Sequence, residues 1–424
     1  MQIESEVADS RLNSELCDVL PLRSTWDAVR RFIEWLDVYG ESSLDFQTYY
    51  SSVLGRKAKA LYYRHRKLGI LAVAPMVISE AIYPSARRFF GSFQRFPIAD
   101  AHYAMGFAFL AESSGEDLYY RRAVHFLKVL KQTRCAGQSE YCWGYPFHWE
   151  TIFGTIPAGT PLITTIPYVF EAFQHVYRVD RNPEWREILH SICRHVLRDY
   201  TDVPTSATAS SCPYTPVPNF SLKVVNANAY RAFMLTNAAY EFSDTTYLKA
   251  AERNLNFVIE AQNADGSWFY AVDGKRNFVD HFHTCFVLKA LAKIEALTGN
   301  VDCTRAIARG VNYYTRHLFD EDGIPKPFSR APRFTVYRRE LYDYAECINL
   351  ATILHSRFPQ LDRCLVATLT DVLSLWQTDA GSFRSRRLQF GWDNTPMHRW
   401  AAAQLFRSLC LVLNKSGFSL SLAR

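Results

Sequence analysis

The sequence lacks the short motifs that mark several large classes of enzyme. It contains no glycine-rich phosphate loop, no GxGxxG dinucleotide fingerprint, no GxSxG nucleophile signature and no DxDD run. Segments that read as β-strands are also scarce. A chain without these motifs is expected to work without a nucleotide, and no cofactor is predicted for it.

Cysteine is present, but not in the spacing of a redox or metal-binding pair. None of the ten cysteines stands in a CxxC motif, and several lie inside apolar helical segments. This pattern is typical of reduced, buried thiols, because disulfide frameworks belong to oxidising compartments. The first residues, MQIESEVADS, are acidic and polar, unlike a secretory signal. We therefore expect a cytoplasmic protein.

A long hydrophobic run and a strong charge imbalance are missing as well. The longest apolar run, Leu68 to Ser79, is too short to span a bilayer and contains Pro75. The net charge of +6 is a mild excess spread over the chain, with a local cluster from Arg56 to Lys67. Because no single element concentrates the charge, nucleic acid is not expected as a partner. Residues 56–79 are a candidate for peripheral contact with the inner membrane, and a solvated face is the alternative.

What the sequence does contain is a helical repeat. Nearly apolar segments alternate with amphipathic ones, and the apolar segments start roughly 55 to 65 residues apart, the length of two helices and two loops. Nearly apolar helices are predicted at 101–112, 161–177, 226–241, 281–297, 341–356 and 396–413. Amphipathic helices are predicted at 117–131, 184–199, 246–261, 302–317 and 361–376. The apolar helices are expected inside and the amphipathic helices outside.

The last apolar helix has no amphipathic partner after it, but an amphipathic helix is predicted at 26–39. This helix supplies the missing partner and closes a ring. The predicted fold is therefore all-α, an (α/α)6 toroid of six helical hairpins with short strands in its loops, at 266–271 and 381–384. Residues 1–95 form an N-terminal extension that includes the closing outer helix, and residues 96–424 form the toroid, together one structural unit.

Polar and charged residues cluster where the buried helices begin. Good capping residues explain Asp280 and Asp343, but cationic groups such as His283 are disfavoured at a helix start. Since all inner helices of a ring run the same way, their starts meet at one mouth and form a polar funnel; caps and satisfied core histidines are the alternative. The clustered residues are His102, Asn228, Tyr230, Arg231, Asp280, His281, His283, Tyr342, Asp343, Glu346, His398 and Arg399.

The DGSW segment at 265–268, the DHFHT segment at 280–284 and the repeat spacing resemble the α/α-toroid proteins. These include six-hairpin glycosidases, uronate lyases and epimerases, and terpenoid cyclases share the topology. Residues 86–110 and 265–291 more narrowly resemble a poorly characterised bacterial family associated with exopolysaccharide biosynthesis. The resemblance implies a carbohydrate-active protein, but it brings no agreed catalytic residues.

Two kinds of acid/base chemistry fit the predicted funnel. Two carboxylates across a cleft serve glycoside hydrolysis, and the candidate pair is Asp280 or Asp343 with Glu346 or Glu150. A histidine with a tyrosine would instead move a proton beside a uronate carboxylate, giving elimination or epimerisation. The candidates for that chemistry are His281 or His283 with Tyr342 or Tyr344. No metal site is predicted, because two histidines two residues apart on a helix point about 200° apart.

Further residues are predicted to bind the substrate. Arg231, Arg338 and Arg399 are candidates for holding a substrate carboxylate by paired hydrogen bonds. Trp143, Trp268 and Trp392 lie in loops expected to line the mouth, where they would stack on sugar rings; anchoring of the loops is the alternative. The remaining binding candidates are His102, His148, Asn228, Tyr230 and His398.

Together these patterns predict a carbohydrate-active enzyme of exopolysaccharide synthesis or turnover: a hydrolase, a lyase or an epimerase. The expected partner is a glycan or a lipid-linked oligosaccharide. One alternative is a non-catalytic polysaccharide-binding or assembly protein on the same fold. Another is a toroid that acts on an isoprenoid or lipid-linked substrate, favoured by the basic and apolar residues at 56–79.

Overall fold

The computed structural model describes residues 11–217 and 223–419, and the remaining parts of the predicted 1–95 and 96–424 regions lie outside it. Helices dominate the described chain. In order they are α1 (Ser14–Val19), α2 (Leu22–Tyr39), α3 (Thr48–Ser51), α4 (Val53–Arg64), α5 (Arg66–Ile82), α6 (Pro97–Ser114), α7 (Asp117–Gln132), α8 (Ile166–Asp180), α9 (Pro183–Arg198), α10 (Val225–Phe242), α11 (Leu248–Glu260), α12 (His281–Thr298), α13 (Val301–His317), α14 (Leu341–Ile353), α15 (Pro359–Asp371) and α16 (Ala403–Ser416).

Six helices form an inner ring. Along the chain α6, α8, α10, α12, α14 and α16 each pack against the next, and α16 packs back against α6. Each inner helix has an outer partner, in the same order α7, α9, α11, α13, α15 and, for α16, the early helix α2. The predicted (α/α)6 toroid is therefore confirmed. Its hydrophobic core is continuous from Leu12 to Leu413.

The difference between inner and outer helices follows from burial. An inner helix has neighbours on nearly all sides, so every residue of α6 from Pro97 to Leu110 is buried. An outer helix faces solvent on one side, so α13 buries only one stripe of side chains at helical spacing. Apolar segments of the sequence therefore correspond to inner helices, and amphipathic segments correspond to outer helices.

Two inner helices begin later than predicted. The second, α8, begins at Ile166 rather than 161, because Pro161 still pairs in an isolated bridge with Gly144. The sixth, α16, begins at Ala403 rather than 396, because Trp400 and Ala401 have non-helical backbone angles. In both cases polar residues at the mouth belong to a loop and not to the helix proper.

Short strands tie together the loops that precede the inner helices. They are β1 (Trp149–Thr151), β2 (Gly154–Ile156), β3 (Val203–Pro204), β4 (Ser210–Ser211), β5 (Val279–Asp280), β6 (Phe328–Arg330), β7 (Tyr337–Glu340), β8 (Arg386–Leu388) and β9 (Trp392–Asp393). All pairs are antiparallel, with β5 on β6 and β8 between β7 and β9. The strands predicted at 266–271 and 381–384 are wrong, since these segments make only isolated bridges.

Helices α4 and α5 form a hairpin, here called the cap hairpin (residues 53–82). The hairpin is tight because Gly69 approaches the backbone of Tyr62 closely, where a Cβ atom would clash. On the ring side, α4 packs against β1, and Glu80 of α5 pairs with Arg386 of β8 at 2.9 Å. The cap hairpin therefore covers the loops at the mouth of the ring.

Within residues 11–217 and 223–419, no helix combines the length and the apolar character required to cross a membrane.

The closing contact between α2 and the ring gives a stability prediction. Phe32 of α2 is fully buried and packs against Tyr103 of α6 and Phe406 of α16, with centroids 6.3 and 5.5 Å away. Phe32→Ala is expected to lower the free energy of unfolding in urea by about 3–5 kcal/mol, because it leaves a cavity at the closure. Val38→Ala on the same helix, where the side chain is 89% exposed, is the control and should change it by less than about 0.5 kcal/mol. Equal effects would contradict closure through α2.

Candidate active site

The start of α12 carries an aspartate–histidine pair at the mouth of the ring. Asp280 is the N-cap: its Oδ1 accepts the backbone N–H of His283 at 3.1 Å. Its Oδ2 lies 2.6 Å from Nδ1 of the His283 ring. Since the carboxylate accepts, Nδ1 carries a proton, and in the neutral imidazole the lone pair then lies on Nε2. Asp280 is buried, whereas 23% of the His283 side chain is exposed.

The His283 imidazole stands among aromatic rings with one nitrogen unused. Centroids of Tyr270, Phe282 and Phe286 lie 4.7, 4.3 and 5.6 Å from it. Within the part of the chain that the structure describes, Nε2 has no hydrogen-bond partner. A cavity of about 10 Å³ lies beside the pair, room for roughly one water molecule. An imidazole held by a carboxylate and open at its other nitrogen has the arrangement of a general base.

Asp343, in the first turn of α14, is a second carboxyl group at this mouth. It is fully buried, and neither oxygen makes a well-formed hydrogen bond to the described residues. Burial raises its pKa well above the usual range for aspartate, and the carboxylates of Glu340 and Asp280 raise it further. Burial and the neighbouring carboxylates therefore favour the protonated form of Asp343.

Aromatic side chains surround these groups at the mouth. They are called here the aromatic wall (Phe282, Tyr342 and Trp400, with Tyr168 and Tyr230). Tyr342 stacks on Trp400, with centroids 4.4 Å apart, and Phe282 meets Tyr342 edge-on at 4.9 Å. Tyr168 and Tyr230 share a hydrogen bond between their hydroxyl groups. Trp400 was not predicted as a site residue, because it lies in an irregular segment without helical periodicity. Flat faces of this kind can pack on the C–H face of a sugar ring.

Below the mouth, the axis of the ring holds charged side chains. Nζ of Lys289 on α12 donates to Glu346 on α14, and Nη2 of Arg407 on α16 reaches the other Glu346 oxygen at 3.4 Å. All three are buried, and burial lowers the pKa of Lys289 to about 8 while Glu346 opposes that shift. Glu346 is thus enclosed by two cations and is not free for the proton transfer predicted for it. Lys289 and Arg407 were missed, although a charge inside an otherwise apolar helix is a signal that could have found them.

Two other predicted residues are His102, which lies near this axis, and Glu150, which lies at the edge of the mouth. His102 is buried against Tyr168, with centroids 4.5 Å apart, and neither ring nitrogen is hydrogen-bonded within the described residues. Burial, and then the cations Arg407, Lys289 and Lys293, lower its pKa well below the usual value, so it is neutral. Glu150 of β1 accepts a hydrogen bond from Thr155 beneath the cap hairpin.

His281 does not face the mouth, contrary to prediction. It is fully buried, its Nε2 lies 2.6 Å from the Tyr314 hydroxyl, and its Nδ1 lies 3.1 Å from the Leu318 carbonyl. Burial lowers its pKa to about 3. Two residues turn a helix by about 200°, so when His283 faces the mouth His281 must face the outer helix α13.

Two of the predicted sugar-stacking tryptophans anchor loops instead. Trp143 is fully buried and donates Nε1 to the carbonyl of Leu130 on α7 at 2.8 Å. Trp268 is buried and donates in the same way to Val258 on α11 at 2.9 Å. Both indoles bind a carbonyl near the end of the preceding outer helix and so anchor their loops, while Trp268 also lines the small cavity beside Asp280 and His283.

Three predicted cationic or histidine ligands are satisfied by the protein itself. Arg231 is buried and pairs with Asp202 at 2.7 Å, on the outer side of α10. His398 is buried, and its Nε2 lies 3.0 Å from the Gly40 carbonyl. Arg399 is buried in a two-point pair with Asp45, although its guanidinium also lies 5.2 Å from the Trp400 ring. These groups hold the mouth in shape and are not free for a substrate carboxylate.

The remaining binding candidates have mixed positions. Asn228 is buried and holds the loop before α10 through the backbone N–H of Cys212 at 2.7 Å. Arg338 is exposed and bonds Gln389, and Trp392 is half-buried beneath Arg387. His148 is exposed and accepts the backbone N–H of Ala158 at 3.3 Å.

Comparison of the fold with solved structures finds sugar-converting enzymes. A sugar epimerase from a ruminal bacterium matches with a TM-score of 0.59 and 12% identity, over 77% of this chain and 89% of that one. Cellobiose 2-epimerase from Bacillus thermoamylovorans matches with a TM-score of 0.59 and 11% identity, over 76% and 87%. The GH76A α-1,6-mannanase of Salegentibacter matches with a TM-score of 0.54 and 12% identity, over 79% and 91%. The chain matches no protein-family model and no curated protein sequence.

These likenesses cover most of both chains at very low identity. They establish that the ring is shared with epimerases and glycoside hydrolases, and the shared feature is the fold.

The protonated state of Asp343 gives a pH prediction. The unfolded chain ionises Asp343 near pH 4, while burial shifts its ionisation in the folded chain to higher pH, so the wild type loses stability as the pH rises above about 4. Asp343→Asn removes this loss. The unfolding free energy of the variant relative to wild type should therefore rise with pH by up to about 1.4 kcal/mol per unit.

Chemical denaturation between pH 4 and 7 measures this difference. Asp379→Asn, at an exposed aspartate, is the matched control and should show no such slope. A difference that stays flat or falls with pH for Asp343→Asn would mean that Asp343 is ionised in the fold.

Proposed function

We propose that this protein is a carbohydrate-active enzyme that moves a proton on a glycan bound at the mouth of the ring. The observation that carries the proposal is the Asp280–His283 pair, with Nε2 open beside an aromatic wall. Epimerisation beside a carbonyl or carboxylate, isomerisation through an enediol and β-elimination all include removal of a proton from carbon, and an imidazole with a free Nε2 is a suitable base for it. The epimerases among the solved structures of this fold support the same choice.

The residues take distinct roles in this proposal. His283 removes the proton, and Asp280 stabilises the imidazolium that forms. Asp343, kept protonated by burial, donates to an oxygen on which negative charge develops. Tyr342 and Trp400 provide the stacked aromatic surface for the sugar ring.

Glycoside hydrolysis is the second candidate. A protonated carboxyl group near an ionisable one is the arrangement that hydrolysis needs, and Asp343 with Asp280 supports it. The mannanase with this fold is a hydrolase by its name. Of the predicted pairs, those with Glu346 are disfavoured by its two ion pairs.

A non-catalytic polysaccharide-binding protein is the third candidate. It is supported by the number of predicted site residues that are paired within the protein, such as Arg231 and Arg399. In that case the aromatic wall would bind glycan while His283 served only to fix the start of α12.

The biological setting is part of the proposal. We infer a cytoplasmic enzyme of exopolysaccharide synthesis or turnover, supported by ten free cysteines, nine of them buried. The exopolysaccharide role rests on the sequence resemblance. The substrate would be a short oligosaccharide or a lipid-linked one, with uronate-containing glycans included.

Replacement of the base tests the proposal. Wild-type protein is incubated in D₂O with neutral and uronate-containing oligosaccharides, and three signals are followed: deuterium at carbon, new reducing ends and absorbance of a new double bond. His283→Gln should reduce the deuterium or double-bond signal by about 10²- to 10⁴-fold, because the base is lost. Asp280→Asn should reduce it less if the ring keeps its position.

His317→Gln is the matched control, since His317 is exposed at the end of α13 on the outer ring. It should retain full activity. If new reducing ends form without deuterium at carbon, the reaction is glycoside hydrolysis and the proposed proton transfer at carbon is contradicted. Glycan binding without any of the three signals would favour the non-catalytic candidate.

A further inference from the structure

The net charge of the chain is carried by one segment. Residues 53–93 contain eight lysines and arginines and a single acidic residue, Glu80, which gives them a net charge of +7. The whole chain has a net charge of +6, so the rest of it is nearly neutral, with −1. The positive charge is therefore concentrated on the cap hairpin and the turn after it, and not spread over the chain as the sequence first suggested.

The same segment exposes an apolar stripe. Leu68, Leu71, Pro75, Ile78 and Ile82 follow one another at spacings of three and four residues along α5, so they share one face. Leu71 and Ile82 are 71% and 78% exposed. Ten of the 24 large hydrophobic side chains exposed in the described residues lie between 53 and 93, which is roughly a tenth of the chain and too dense for chance scatter.

The other face of α5 explains why the stripe points outward. Gly69 packs on α4, Met76 is buried, and Glu80 is buried in pairs with Arg87 and Arg386. These contacts fix the rotation of α5 against the mouth loops. The apolar stripe is consequently held away from the ring, uncovered by any described residue.

Exposed cations stand at the end of this stripe. Arg64, Arg66 and Lys67 flank the turn between α4 and α5, and all three are exposed. None of their side chains forms an ion pair within the described residues. An apolar helix face bordered by free cations is the composition of helices that lie in the interface of an anionic bilayer.

We propose that the cap hairpin docks on an anionic lipid surface, with the apolar stripe of α5 inserted between headgroups and the basic turn on lipid phosphates. A second copy of the chain fits less well, since two segments of charge +7 would meet. A nucleic acid would pair with the cations but leave the apolar stripe in water.

Vesicle flotation tests the proposal with the full-length chain. Wild-type protein should float with vesicles of phosphatidylcholine mixed with phosphatidylglycerol, and less so as salt is raised. Two double variants remove one component each: Leu71→Ser with Ile78→Ser, and Arg66→Glu with Lys67→Glu. Each should lower the bound fraction about tenfold or more.

The matched control is Val301→Ser with Leu375→Ser, which removes two similarly exposed apolar side chains from the outer ring, 60% and 50% exposed. It should float as wild type does. All these positions are exposed, so the variants should keep their thermal midpoint, and circular dichroism checks this. His283→Gln should float normally, which separates this proposal from the proposed function.

Several outcomes would overturn the proposal. They are equal flotation with pure phosphatidylcholine vesicles, no flotation at all, or loss in the Val301/Leu375 control. If light scattering shows that the wild type is a dimer and the Leu71/Ile78 variant is a monomer, the stripe binds a second copy of the chain instead. Displacement from vesicles by a short RNA that binds the isolated protein more tightly would assign the cations to nucleic acid.

Discussion

Every inner helix of the ring needs a neighbour on each side and an outer helix behind it, and the last of them finds its outer helix at the other end of the chain. The contact between α2 and α16 meets this need, with Phe32 against Phe406 at its centre. Because an outer helix leads the chain back between successive inner helices, all six inner helices run parallel, and closure of the ring brings their starts to one mouth. The site, its aromatic wall and the cap hairpin over it all depend on that closure.

A closed ring also creates an axis that side chains must fill. Here the filling is partly ionic, with Glu346 between Lys289 and Arg407. Burying charges costs several kcal/mol per ion, and a pair offsets this only when its geometry is good, so such groups add little stability over an apolar core. They favour one arrangement of the helices over others. Any packing that separated the partners would leave an unpaired charge in the interior, so the pairs fix how α12, α14 and α16 are placed relative to one another. That placement is what brings Asp343 within electrostatic range of Asp280.

The fold could be predicted from the sequence much better than the site. Helical periodicity is local, and it located most helices to within a few residues, although α8 and α16 begin five and seven residues later than predicted. Ring closure followed from counting inner helices and their outer partners. The site depends on rotation about each helix and on partners far along the chain. His281 and His283 point in different directions because two residues turn a helix by about half a turn. Arg399 is neutralised by Asp45, which lies 354 positions away along the chain. Trp400 lies in an irregular segment where periodicity carries no information.

Other features were present in the sequence but were not recognised. The +7 charge of residues 53–93 required only a local count. Lys289 and Arg407 stand out as charged residues within mainly apolar stretches of inner helices. By contrast, the burial of Trp143 and Trp268 could not be read from loop composition, because an indole that anchors a loop and one that binds a sugar occupy the same kind of sequence.

The closure by α2 has a consequence for synthesis. This helix is the first part of the ring to leave the ribosome, and α16 follows about 360 residues later. At ordinary elongation rates of about 5–20 residues per second, the apolar face of α2 waits roughly 20–70 s for its partner. Hairpins in between can form as they emerge, but the last cooperative step is delayed until the end. Nascent chains of this protein are therefore expected to be clients for chaperones that shield exposed apolar helices until translation is complete.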